Sequence, residues 1–442
     1  MKKGKKMAKV TNLTLRHKTA YKIYVRNFSK KGTFLGIIPQ LDRLKDMGIS
    51  LLILGPIFQS TDIHAEGECG NPYFVKGFRE IDPDYGTKED FQMLIQAIHD
   101  HNMEVLLEIP VPQLAKDSPL VDSHPEYFLH DYKGNVCSRV PGSFLGVDLD
   151  FSNPKMWDDL IEILKEWAAL VDGFFVRNAQ LVRTEFWNSA RAEVEDVHPY
   201  FYWLSNTLTA DTMFLLRMNR IPYYTEGEIY TNFDVLDDQS FLGFYQAYRE
   251  EKITIEQLAY MLNYEEVTCP STGVRNTGYE HEDQPRISAL LSNKDLLWNW
   301  TALSFFKKGM VELLMGQEVG CLSPVPVTKR EEIDWTVRED LTEMICRLSE
   351  MKEWEICKSG YFFCRSQEPN LLICSYHYYA QHLFGIFNLR PDHQQHTLEI
   401  ELPQGAYKNL IGEESYTIKE GTLKVGNRAV ILNYEGDVSL PH

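Results

Sequence analysis

Between about residue 20 and residue 350, short apolar runs alternate with longer amphipathic ones. The apolar runs are YKIYVRNF from Tyr21, SLLILGPIF from Ser50, EVLLEIPVP from Glu104 and DGFFVRNAQ from Asp172. They continue as YFYWLSN from Tyr200, PYYTEGEIY from Pro222, VRNTGYEHED from Val274 and VELLMGQEVG from Val311. Several are apolar with little alternation, the pattern of strands buried on both faces. The segments between them read as helices. FLGIIPQLDRLKDMG stops at Gly48, a good C-cap, just before the second strand. TKEDFQMLIQAIHDH opens on a Thr N-cap with Glu89 and Asp90 in its acidic first turn, and NPKMWDDLIEILKEWAALV opens on Asn153 with Pro154 at the first helical position. Strands and helices alternating eight times predict an α/β chain folded as a closed (β/α)8 TIM barrel.

Two stretches break the alternation. Residues 114–150 form a long excursion after the third strand, of the kind that carries function in barrels. After a last helix near Leu341 to Met351, the period changes to short alternating strands: GYFFCRS, LLICSYHYY, HLFGIFNL, HTLEIEL, TLKVG and AVILNY. These predict a C-terminal antiparallel β-sandwich domain. The expected organisation is a flexible basic tail over 1–11, a barrel over 12–353 and the sandwich over 354–442.

Composition narrows the partners. A net charge of −18 argues against nucleic acid and anionic membrane surfaces, which need clustered Lys and Arg. Neutral ligands such as sugars remain compatible. The N-terminus is basic but has no apolar run after it, and no stretch approaches the ~20 apolar residues of a membrane span. Eight scattered cysteines, with no C-x-x-C spacing, fit a reducing compartment and give no zinc site. The expectation is a cytoplasmic protein with no metal and no cofactor.

Reading the C-terminal ends of the strands, where barrels keep their chemistry, brings a family into view. LLILGPIFQS, GNPYFVKGFREIDPDYGTKEDF, VDGFFVRNA, EHEDQPR and LLMGQEVG occur in that order, and the chain resembles the α-amylase family of glycoside hydrolases over nearly its whole length. The resemblance implies a retaining mechanism, with a carboxylate nucleophile and a carboxylic acid ~5 to 5.5 Å apart, and a further Asp that stabilises the transition state. Here the nucleophile position holds Arg177, which cannot attack an anomeric carbon because a guanidinium only donates. Phe175 stands at the family's Arg position. HPYFYWLSN places Asn206 at the acid position, and an amide cannot deliver a proton to a leaving alkoxide. A competing alignment makes GEIY the fifth-strand motif and Glu228 the acid, with Glu226 beside it.

Of the three catalytic carboxylates only Asp283 is retained, together with Arg286. Glu282 replaces the sugar-binding His and His281 the preceding Asn. In the third strand Glu108 replaces the Asp, Pro112 the Asn that often binds calcium, and Gln113 the sugar-binding His; proline offers no ligand, which argues against a calcium site. Tyr73 keeps the aromatic position that stacks under the sugar. The substitutions make sense as a set if Arg177 forms an ion pair with Glu282 or Asp283 and plugs the site with a salt bridge. Three functions follow as expectations. One is a catalytically inactive relative that binds an α-glucan or small sugar at the barrel mouth. A second is an active hydrolase or transglycosylase with relocated carboxylates, and a third is a structural or interaction protein without a sugar ligand.

Overall fold

The computed structural model describes residues 11–62, 67–139, 145–291, 293–367, 370–390 and 394–437. The expected N-terminal tail lies outside them except for Thr11, which is buried with its hydroxyl on Asp234 at 3.1 Å and so belongs to the barrel.

Eight parallel strands form one sheet: β1 (Thr19–Ile23), β2 (Leu51–Leu54), β3 (Glu104–Ile109), β4 (Gly173–Val176), β5 (Tyr202–Ser205), β6 (Val235–Asp237), β7 (Val274–Asn276) and β8 (Val311–Leu314). Each neighbours the next, β8 pairs with β1, and the seam between β7 and β8 closes at Asn276 and Met310. There the Thr277 amide donates to the Met310 carbonyl and the Met310 amide to the Arg275 carbonyl, both at 2.8 Å. The sheet is a TIM barrel. Its lower interior is filled by alternate inward side chains, among them Ala20, Leu51, Leu106, Leu204 and Val235, with Leu15 closing the floor.

The helices stand where capping signals placed them. α1 (Lys88–Asp100) starts with a capping box between Thr87 and Asp90, and α2 (Pro154–Ala168) starts on the Asn153 side chain. Gly48 takes φ +84 at the end of its helix, a conformation that costs glycine little. One element departs from expectation. The run from Pro222 is not a strand: Thr225 and Glu228 make a second capping box and turn Glu226–Ile229 into a one-turn helix. The sixth strand begins nine residues after Glu226, at Val235.

The C-terminal domain is built of antiparallel sheets. β9 (Tyr361–Gln367), β10 (Leu371–Tyr378), β11 (Gln381–Asn388) and β16 (Val430–Glu435) form a four-stranded sheet in that order. β12 (His396–Glu399) pairs with β15 (Thr422–Val425), and β13 (Gly405–Lys408) with β14 (Ser415–Ile418). This last hairpin escaped the sequence pattern because its strands are only four residues long and its inward face is Ile418 with the half-buried rings of Tyr407 and Tyr416. One face of the larger sheet packs against the small sheets through Ile373, Ile386, Leu398 and Leu423, and the other joins the barrel core through Phe362, Tyr376 and Phe387.

The helix Lys294–Phe306 carries the junction. Phe306 packs on Phe362, Tyr376 and Phe387, and fully buried Asn299 stitches the two domains. Its amide donates to the carbonyls of Asn388 at 2.6 Å and Asn427 at 2.7 Å, and its oxygen accepts from the Ala429 amide at 2.6 Å. Asn299→Ala is expected to lower the unfolding free energy by about 3 kcal/mol, since three buried backbone groups lose their partner; a change below about 0.5 kcal/mol in urea melts would show that the junction is held by apolar packing alone.

Candidate functional site at the barrel mouth

The upper layer of the barrel interior is charged, although its strands are apolar. Lys22 on β1 has 2% of its side chain exposed, and its ammonium lies 3.1 Å from Glu108 Oε2 on β3 and 3.6 Å from Glu282 Oε2 after β7. It also sits 4.8 Å from the centroid of the Phe175 ring. Arg177, one residue past β4, donates through Nη1 to Glu282 Oε1 at 2.6 Å and reaches Glu108 Oε1 at 3.4 Å. The expected ion pair is therefore made with Glu282. Asp283 is largely exposed and stands 4.0 Å from Arg177 Nη2. Two cations face two carboxylates, and all but the partly exposed Arg177 are buried.

The electrostatics follow from that packing. Burial alone would push the Glu282 carboxyl up, but Arg177, then Lys22 and the Tyr73 hydroxyl outweigh it and hold it well below the usual range. Burial also opposes the charge on Arg177, yet Glu282 and its neighbours raise it well above its ordinary value. Glu108 is pushed up by burial in spite of Lys22 and Arg177. On the opposite wall Asn276 donates to Asp237 Oδ1 at 2.9 Å and to Glu312 Oε2 at 2.8 Å. Burial and the facing Glu312 raise Asp237 well above its usual value, and burial lifts Glu312 to about 7. Both shifts favour the neutral acid form, which limits the negative charge of the layer.

Above it opens a polar cup of about 230 Å³. Phe175, Arg177, Asn206 and Asp283 line it, together with His281 and Gln284. Burial lowers His281, keeping a neutral imidazole in the wall. Asn206 is anchored: its Oδ1 accepts from the Asn178 amide at 2.6 Å, where Asn178 adopts φ +56. A larger cavity of about 450 Å³ lies beside the excursion, between Phe78, Leu120, Tyr127, Met156 and Leu160. Its apolar walls offer few hydrogen-bond partners, so the cup is the stronger candidate for a hydroxylated ligand.

Four sequence-expected residues have other work. The Tyr73 hydroxyl donates to Glu282 Oε1 at 2.6 Å, and its ring lies 3.9 Å from the Arg177 guanidinium carbon. The face expected to stack under a sugar is therefore covered. Arg286 is buried on Glu280 at 2.7 Å and on the carbonyls of Met315 and Ser323, and it does not line the cup. Glu228 is exposed on its one-turn helix, accepting from the Thr225 amide at 2.7 Å, which removes it as an acid at a strand end. Gln113 starts a two-strand hairpin with residues 146–148 and reaches Asp148 at 3.5 Å, outside the cup. Sequence reasoning missed Lys22, Asp237, Asn276 and Glu312. Lys22 and Glu312 did leave a signal, since each is a charge inside a strand buried on both faces. Among the described residues, no three His, Cys, Asp or Glu side chains gather to hold a metal ion, and no helix is long and apolar enough to cross a membrane.

The model of the α-amylase catalytic domain matches residues 16–117, and that of the bacterial α-amylase C-terminal domain matches residues 363–432. An α-amylase from Lactobacillus plantarum of known structure is 28% identical, with a TM-score of 0.92 over 96% of this chain and 100% of that one. The chain belongs to the α-amylase family. An α-1,4-glucan:maltose-1-phosphate maltosyltransferase from Pseudomonas aeruginosa is 28% identical over 51% of this chain, a match that spans only 37% of the relative's length. An α-amylase from Geobacillus thermoleovorans solved with acarbose shares the fold at 17% identity, with a TM-score of 0.76 over 97% of this chain and 99% of that one.

Lys22→Met is expected to cost about 3–5 kcal/mol, because Glu108 would keep only the more distant Arg177 as counter-charge; a melting temperature equal to the parent's would show that the ion layer contributes nothing to stability. A second expectation concerns pH. The folded chain holds a proton on Glu312 between 4.5, its ordinary value, and about 7, while the unfolded chain releases it. Stability contributed by this proton is present below pH 4.5 and lost as pH rises towards 7. Glu312→Gln keeps an acceptor for Asn276 and should flatten that part of the slope in urea melts at pH 5 and pH 8; an unaltered slope would contradict the assignment.

Proposed function

We propose that this α-amylase-family protein binds an α-glucan or a small neutral sugar in the cup at the barrel mouth and does not cleave it. The observation that carries the reading is Arg177, which occupies the nucleophile position and spends its charge on Glu282 at 2.6 Å. A cation there opposes the positive character that develops in an oxocarbenium-like transition state. Asn206 at the acid position has no proton to give, and its amide oxygen is already engaged by Asn178. What remains suits recognition: the amides of Asn206 and Gln284, neutral His281 and the exposed Asp283 carboxylate. Sugar hydroxyls pair with such groups as both donors and acceptors, and a charge-balanced layer beneath does not select for an ionic ligand. The family's association with α-glucans supports the same ligand class.

One observation favours a working glycosidase instead. Asp237 lines the same cup with its proton held by burial, as a relocated general acid requires. A single set of assays separates the readings. Maltose, maltotriose or soluble starch should raise the melting temperature or retard migration in starch-containing gels, with no turnover of nitrophenyl α-glucoside or maltooligosaccharides. Asn206→Leu, which removes the amide from the cup wall, should weaken binding about tenfold, equivalent to ~1.4 kcal/mol. Absence of any shift with all three sugars would end the binding reading, and turnover that disappears in Asp237→Asn would replace it with the catalytic one.

A further inference from the structure

Cys364 on β9 and Cys374 on β10 stand directly opposite each other in the antiparallel register. The helix Ile255–Thr268 reveals which kind of pair they make. The Cys364 amide donates to Asn263 Oδ1 at 2.8 Å, and its carbonyl accepts from Asn263 Nδ2 at 2.7 Å. Both backbone groups of Cys364 thus point outward to the barrel helix and away from β10. An opposed pair whose backbone groups turn away is the narrow, non-hydrogen-bonded kind, with Cα atoms about 4.5 Å apart and side chains at their closest. That spacing falls inside the range a disulfide spans.

The sulfurs use this proximity. Cys364 Sγ and Cys374 Sγ are 2.7 Å apart, and the two residues are 1% and 0% exposed. They lie on the barrel-facing side of the sheet, in the same core as Phe306, Phe362 and Tyr376. β9 is the outermost strand of its sheet. A bond between these sulfurs would tie that edge to its neighbour at the point where Asn263 ties it to the barrel.

We propose that Cys364 and Cys374 are a redox modification site, forming a cross-strand disulfide by exchange with a low-molecular-weight disulfide such as oxidised glutathione. One cysteine attacks the small disulfide, giving a mixed disulfide and releasing one thiol. The other cysteine then displaces the second. Two protein S–H bonds are lost and one S–S bond forms, and the small disulfide takes up two electrons and the two protons as two thiols. Burial pushes the Cys364 thiol up, so exchange in the folded chain waits for the edge strand to lift. During folding, before the sheet has docked on the barrel, no such barrier exists.

The full chain is incubated with oxidised glutathione, both native and during refolding from urea, then alkylated and digested with trypsin. Cleavage after Arg365 separates the two cysteines, so a linked pair of peptides reports the bond directly. The expected result is that linked pair, six alkylatable thiols in place of eight in the denatured protein, and a melting temperature a few degrees above that of the dithiothreitol-treated sample. The bond should form faster during refolding than in the native chain. Cys374→Ser should abolish both the link and the redox dependence of melting while leaving the reduced protein's melting nearly unchanged. Eight free thiols after oxidative refolding, glutathione adducts without the link, or links to other cysteines would overturn the proposal. A link that leaves the melting temperature unmoved would overturn its role as a staple.

Discussion

The upper barrel depends on one constraint: Glu108 and Glu282 are buried carboxylates, and they persist because Lys22 and Arg177 are held against them. Each of the four side chains comes from a different part of the chain, β1, β3, the end of β4 and the loop after β7. Their mutual attraction therefore registers four walls of the barrel at one height. Removing solvent from such charges is expensive, and well-packed apolar residues would hold the barrel at least as firmly. What the ion layer supplies is directionality, because each guanidinium and ammonium contact accepts only a few geometries.

The same layer shapes what lies above it. With Tyr73 turned under Arg177 and donating to Glu282, and Phe175 buried beneath the Lys22 ammonium, neither ring offers an open face to the mouth. The loop after β7 is fixed from behind by Glu280, which holds Arg286 and the Ile287 amide. His281, Glu282 and Asp283 are thereby presented in sequence along the rim, one neutral, one buried in the plug and one open to solvent. The chemistry of the mouth is the residue of this division of labour.

Much of this was legible in the chain. Helix starts at Thr87 and Asn153 and the apolar strands of the barrel follow from local rules, and Arg177 could be placed at the mouth because the segment order carries the alignment. The limits are equally physical. The Pro222 run has the composition of a strand, but the reciprocal bonds between Thr225 and Glu228 win locally and move the sixth strand to Val235. Arg286 and Tyr73 keep their places in the family pattern, yet a position does not say where a side chain points. Glu280 draws the arginine inward, and the Arg177 guanidinium covers the tyrosine. Lys22 and Glu312 were readable as anomalies in buried strands, but their partners are distant in sequence and needed the fold to be found.

In the family pattern that the sequence resembles, an acidic residue stands where Arg177 is and a histidine where Glu282 is, so the proposed reading amounts to a reversal of polarity. Changing Arg177 alone back to Asp would set a third carboxylate beside Glu282 and Glu108 with Lys22 as the remaining close cation, and changing Glu282 alone back to His would strand Arg177. Either single step passes through a destabilised intermediate. On that reading the ion pair acts as a latch, exchanged for the family arrangement only by paired changes.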